Sequence, residues 1–345
     1  MDQKVEDIIE NIKALSPDDY NSLIRALPLL RKDEPTERIA DFANSLKTAS
    51  KQRCPYCGGI HIVRNGHRKD GVQKFCCRDC NRSFVPTTNT MFAYSHKDFS
   101  TWISYIKGMM SGGKLMEMSV SCGINLKTSF FWRHKILNSL CQMEDTVELE
   151  GISECDETFF ALSYKGNRKA FSEGGIERDA HKRGGEVHTR GLSKEQVCVP
   201  CAVDRKHKSV SKIACLGACS HGSLNHVLGN KFAKGTCICT DGNSAYQRFA
   251  KENNLELVQL TGGKMTKGIF HIQHLNSYHS LLKKFIRGFN GVSTKYLNGY
   301  LAWHNYINYA KEVVQEKVNI LKEWLVNCGN NVSRQSIFNM PPIPC

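Results

Sequence analysis

The chain has 345 residues, 41% of them apolar, and a formal net charge of +14, which is long enough for two or three domains with real cores. No apolar run approaches the ~20 residues needed to span a bilayer, and the opening MDQKVEDIIENIK lacks the apolar centre of a signal peptide. Membrane and secretory roles are therefore excluded, and a cytoplasmic protein is expected.

The first 50 residues hold 10 acidic against 7 basic side chains, so residues 51–345 carry +17. That balance suits an acidic partner, nucleic acid foremost, although solvated Lys and Arg faces account for composition alone equally well. The 16 cysteines read as reduced thiols, four of them on zinc, because two pairs stand at metal-ligand spacing in a long chain without a leader.

Val5, Ile8, Ile9 and Ile12, then Leu23, Ile24 and Leu27, give helical periodicity. Residues 1–48 are expected to form a helical segment, either a dimerisation element or a cover. From residue 51 the character changes. Cys54-x2-Cys57 and Cys77-x2-Cys80 are two knuckles with 19 residues between them, each offering two thiolates to one side. Together they make a tetrahedral structural zinc site, so a zinc ribbon is expected over 51–90. Cys76 competes for the fourth ligand but lacks the x2 spacing. Residues 51–96 carry 8 Lys plus Arg and 2 acids, which suits contact with a DNA backbone; a purely structural module is the alternative.

Three helices are predicted over 97–142. The last two flank the turn Cys122-Gly123-Ile124-Asn125, the pattern of a helix-turn-helix. Lys127, Thr128, Arg133 and His134 are the candidates for groove contact, with an ordinary helical bundle as the alternative reading. A strand follows over 146–163, with Asp156 and Glu157 toward its end. Residues 164–195 are rich in Gly, Lys and Arg and read as a loop. Strands are predicted over 196–203, 209–216, 236–240 and 255–260, and helices over 223–233 and 244–253. Cys198, Cys201, Cys215 and Cys219 invite a second metal site. Positions three apart on a strand face opposite ways, however, so Cys198 and Cys201 read as small core side chains. Helices are then predicted over 276–289, 293–310 and 311–327, with a polar tail to Cys345.

Asp156 and Asp241 stand at predicted strand ends, and Asn276 opens a predicted helix with Lys283 seven residues on, on the same face. Oxygen donors drawn from separate elements suit two divalent cations that serve phosphoryl transfer.

ECDETFF, CTDGNSAY, HIQHLNSYHSLLKKFIRGF and STKYLNGYLAWHNY, in this order, resemble the catalytic blocks of insertion-sequence DDE transposases. They are closest to the bacterial group with an N-terminal zinc ribbon. The resemblance implies a multidomain α+β chain with a ribonuclease H-like catalytic domain, built on a mixed sheet, over 146–310 and a C-terminal helix and tail over 311–345. It implies that Asp156, Asp241 and Asn276 hold magnesium or manganese, in all two ions, and that Lys283 contacts DNA phosphate. His271 matches a family position near the metal or scissile phosphate, and Glu157 can support the site from behind. Asn276 departs from the usual Glu and corresponds to a DD-N-K variant of the group. The implied activity is cleavage at terminal inverted repeats and strand transfer into target DNA by a homodimer or higher oligomer at the nucleoid. A regulator that binds DNA without chemistry and a nuclease on the same fold are the alternatives.

Overall fold

A computed structural model describes residues 10–16, 18–20, 22, 52–166, 195–261, 266–309, 314–327 and 332–343. The expected helical hairpin over 1–48 lies mostly outside these residues, although 10–13 and 18–20 are helical. The glycine-rich stretch 164–195 also lies almost wholly outside them. Two compact units divide the chain: Met1–Ile136 with Val313–Ser333, and Leu137–Glu312 with Arg334–Cys345.

The first unit opens with a three-stranded antiparallel sheet, β1 (Ile62–His67), β2 (Gln73–Cys77) and β3 (Ser83–Phe84). Its small core is Phe75 and Phe84 with the thiols of Cys54 and Cys77. Such a core buries too few apolar side chains to stand alone, the usual situation in which a metal supplies the missing stability. Helix α1 (Phe99–Met110) is capped by Asp98, whose carboxylate accepts from the Thr101 N–H at 2.8 Å. Helix α2 (Leu115–Ser121) ends at Cys122, and Gly123 takes φ +57° to reverse the chain. Asn125 then starts α3 (Leu126–Asp145) by accepting from the Lys127 N–H at 2.8 Å. Trp102 of α1 stacks on Trp132 of α3 with ring centroids 3.6 Å apart. Helix α8 (Val314–Asn327) packs on α1 and buries Val318, Leu321 and Leu325.

The second unit is a six-stranded mixed sheet. Strand β4 (Ile152–Ala161) runs antiparallel to β5 (Gln196–Asp204) over nine residue pairs, Ser153 opposite Asp204 through Ala161 opposite Gln196. On its other side β4 pairs in parallel with β8 (Cys237–Thr240), and β8 in parallel with β9 (Glu256–Gln259). β5 also takes β6 (Ser209–Ser211) and β7 (Cys215–Leu216), both antiparallel. This order and these directions agree with a ribonuclease H-like domain. Residues 197–204 of β5 are all buried, as a strand covered on both faces must be. The single strand expected over 209–216 is split in two because Pro200 lies between the two ladder segments and has no N–H to offer a continuous partner.

One face of the sheet is covered by α4 (His221–Leu228) and α5 (Ala245–Glu252) through Leu224, Leu228, Tyr246 and Phe249. The hairpin β10 (Thr266–Lys267) and β11 (Phe270–His271), absent from the predicted elements, leads into α6 (Gln273–Arg287). α6 packs on β4 and β5 and buries Leu275, Tyr278, Leu282 and Ile286, each worth about 1.5–3 kcal/mol of apolar burial. Helix α7 (Thr294–His304) runs into a π-helical turn, Asn305–Tyr309, and α9 (Arg334–Phe338) follows α8.

Candidate active site

Asp156 lies inside β4, not at its end as the sequence suggested, because the strand begins only at Ile152 and runs on through Phe159 and Phe160 to Ala161. Its neighbour in the sheet is β8, and the parallel register sets Cys155 opposite Thr240. One step further, Asp156 comes level with Asp241, the first residue beyond β8. The Asp241 carboxylate accepts from the Asn243 N–H at 3.0 Å, and Gln259 on β9 donates to the Asp241 and Asn243 carbonyls at 3.1 and 3.0 Å. These bonds hold the turn in one shape.

Burial pushes the Asp156 carboxyl up to about 7, the negative charges of Asp241 and Glu157 push the same way, and the Lys283 ammonium opposes them. Glu157 is likewise raised, by burial and then by Asp241. Its carboxylate accepts from the Asn243 amide at 3.4 Å. The negative charges of Asp156, Glu157 and Asp241 thus raise one another's cost, which a bound cation would relieve.

Asn276 and Lys283 are both exposed on α6. At spacings of three and seven, Asn276, His279 and Lys283 share one side of the helix. His279 was not singled out in the sequence. Its Nε2 is buried without a hydrogen-bond partner among the described residues, and burial, then Lys283, holds the ring down at about 4.

A second set of residues that sequence reasoning missed fixes α6 to the sheet. Glu154, two before Asp156 and therefore on the same strand face, is fully buried. Its Oε2 accepts from the Leu275 N–H at 3.0 Å, in the first turn of α6. Its Oε1 lies 2.8 Å from His274 Nδ1 and 3.1 Å from Arg205 Nη1. Arg205 also reaches His271 Nε2 at 2.9 Å and donates to the Ile269 carbonyl at 3.1 Å. Glu154, His271 and His274 are close enough together to hold a metal, but the guanidinium already bonds to all three. The group is therefore an ion-pair hub, and His271 belongs to it. The alternation in ECDETFF was the one available signal, since it puts Glu154 and Asp156 on one face.

In the first unit the sulfurs of Cys54, Cys57, Cys77 and Cys80 all lie within 4.8 Å of one another, with Cys54 to Cys80 and Cys57 to Cys77 each at 3.7 Å. Cys76 turns its thiol to the Cys77 carbonyl and stays outside the group. The Tyr56 and Gly59 N–H groups point at Cys54 and Cys57 sulfur, each at 3.4 Å. Burial works against ionisation of Cys54, but the N–H groups of Tyr56 and Cys57 and the thiols of Cys80 and Cys57 together outweigh it and leave the thiol at about 7. This donor set suits a structural metal. In the second unit Cys198 does not meet Cys201; it meets Cys215 and Cys219.

Of the four groove candidates, Lys127 is exposed and Thr128 half-buried at the start of α3. Arg133 and His134 correct the expectation. They are 1% and 4% exposed, and Arg133 donates to the Gly113 carbonyl at 2.5 Å. They lie on the inward side of α3, with Trp132 and Ile136. Among the described residues no helix is long and apolar enough to cross a membrane.

Residues 148–307 match the model of the ISXO2-like transposase domain. An uncharacterized protein in the transposable element ISH50 of Halobacterium salinarum is 24% identical over 277 residues, which span 76% of this chain and 87% of that protein.

Proposed function

We propose that the chain is an insertion-sequence transposase of the DDE superfamily, which the match of residues 148–307 and the relative in ISH50 support, and that it binds the terminal inverted repeats of its element, cleaves a strand there and joins the freed end to target DNA. The observation that carries this reading is the Asp156–Asp241 pair, Asp156 in β4 and Asp241 just beyond the parallel β8, with the Lys283 charge near enough to act on Asp156. Asp156 and Asp241 hold divalent magnesium or manganese, and the neutral Asn276 carbonyl is the third donor. The donor set fits such ions: hard oxygens, on an Asp156 carboxyl that burial first, and then the charges of Asp241 and Glu157, push up to about 7. Two such ions, when bound, supply Lewis acidity to the attacking and leaving oxygens of an in-line displacement.

The residues divide the remaining work. Lys283 contacts the phosphate next to the scissile bond. Glu157 stays behind the pair on Asn243. Glu154, through Leu275 N–H and Arg205, keeps the first turn of α6, and hence Asn276, at a fixed distance from β4. The first displacement spends water and frees a 3′-hydroxyl; the second spends that hydroxyl on a target phosphodiester and releases a target 3′-hydroxyl.

DNA recognition is assigned to the first unit. The four cysteines hold zinc as a structural ribbon, and α2, the Gly123 turn and α3 act as a helix-turn-helix, with Lys127 and Thr128 toward the groove. Arg68 and Lys74 line an open cavity of about 300 Å³ with Tyr56 and the exposed Tyr94, a mixture of cations and rings suited to nucleic acid. Two DNA ends require at least a dimer.

The test uses labelled inverted-repeat DNA, target plasmid and Mg²⁺ or Mn²⁺. Nicked and joined products are expected from the native chain, and neither from Asp156→Ala or Asp241→Ala, with end binding retained. Binding without nicking by the native chain would leave a DNA-binding regulator. Nicking without joining would leave a nuclease.

A further inference from the structure

Seven of the cysteines fall into two clusters, and the second has no part in the site described above. Cys198 on β5 and Cys215 on β7 are direct register partners. Cys219 follows in the turn that leads to Ser220, the cap of α4. Gly217, at φ +76°, lets the chain turn back between the last two. The three sulfurs lie within 4.8 Å of one another, the same closeness that the Cys54 group shows. A tetrahedral ion with bonds of about 2.3 Å holds its sulfurs about 3.8 Å apart, so modest side-chain rotation closes the site.

Cys198 is fully buried, and Cys215 and Cys219 pack at the margin of the core, yet packing alone does not require three sulfurs to converge. Cysteines that act as core hydrophobes here, Cys155, Cys201 and Cys239, are fully buried. Cys215, on the short edge strand β7, and Cys219, in the turn after it, are half-buried, and their thiols reach the carbonyls of Ala218 and Ser220 at 3.5 and 3.7 Å. No fourth His, Cys or carboxylate among the described residues joins them.

We propose that Cys198, Cys215 and Cys219 form a second thiolate site, for a divalent ion of the zinc class, with its fourth position open to water. The ion would tie the loop before α4 to β5, the strand that lies beside Asp156. The ligands come from a strand, its neighbour and a turn, so the CxxC spacing that marks the first cluster is missing.

The experiment is metal analysis of the full chain purified from zinc-supplemented growth. The native protein is expected to hold two zinc ions per chain, one of which leaves to a chelator faster because its fourth position is open. Cys219→Ser and Cys54→Ser should each hold one, and Cys201→Ser two. Should Cys219→Ser fail to fold, alkylation of the native chain decides: Cys215 and Cys219 should resist iodoacetamide until chelator is added. One zinc per chain in the native protein, two in folded Cys219→Ser, or immediate alkylation of Cys215 and Cys219 would overturn the proposal.

Discussion

The raised carboxyl of Asp156 has a measurable sign. An acid whose folded pKa lies above its unfolded value binds more protons in the folded state, so the fold loses stability as pH rises from about 4 to 7. In metal-free protein, Asp156→Asn should therefore stabilise the fold at pH 8 by on the order of 2 kcal/mol, seen as a higher melting temperature, and leave it nearly unchanged at pH 4. Thermal scans in chelator at both values check this. Added Mn²⁺ should reverse the order of the two proteins at pH 8. Asn276 gives the converse case. Asn276→Glu restores a third charge and should tighten Mn²⁺ binding by roughly tenfold, the equivalent of ~1.4 kcal/mol, in a calorimetric titration. At the surface, Lys127→Ala should weaken DNA binding and lower the salt slope by about 1. Arg133→Ala should instead destabilise the first unit, since Arg133 is buried on the Gly113 carbonyl.

Between elements, the critical joint is that of β4 with α6. Glu154→Gln keeps the shape but removes the charge that Arg205 faces, and Arg205 is itself about a quarter exposed, 27%. A loss of about 2 kcal/mol in urea unfolding is expected, below that of a fully buried pair, with activity falling further than stability because Asn276 loses its fixed distance. This joint also marks how far the sequence could be read. Asp241 was legible because β8 is a short apolar run that stops at Asp-Gly. Asn276 and Lys283 were legible because α6 has a clear helical period. Asp156 was misjudged as lying toward a strand end because the strand was predicted from 146, whereas β4 begins only at Ile152, which leaves Asp156 near its middle. Arg205, His274 and Glu154 meet from three separate segments, and no local pattern reports such a meeting. Arg133 and His134 were misread since polar side chains early in a helix look solvent-facing until the Trp102–Trp132 stack shows which side is inward.

On the scale of the whole molecule, both compact units are assembled from two separated stretches of chain. Helix α8 follows the candidate catalytic residues in sequence, yet it packs on α1 of the first unit. The chain then returns to the second unit, where Ile337 is buried and the Lys295 ammonium donates to the Phe338 carbonyl at 3.0 Å. A fragment ending at residue 310 should thus expose the α1 surface and lose cooperative unfolding of the first unit, as hydrogen exchange across 99–110 would report. For a mobile element this has a bearing on decay. A late frameshift spares Asp156, Asp241, Asn276 and Lys283 in the gene, yet removes the last support of the unit assigned to recognise the ends. On the proposed function, copies with damaged 3′ ends would keep every candidate chemical residue and still lose the means to find their own termini.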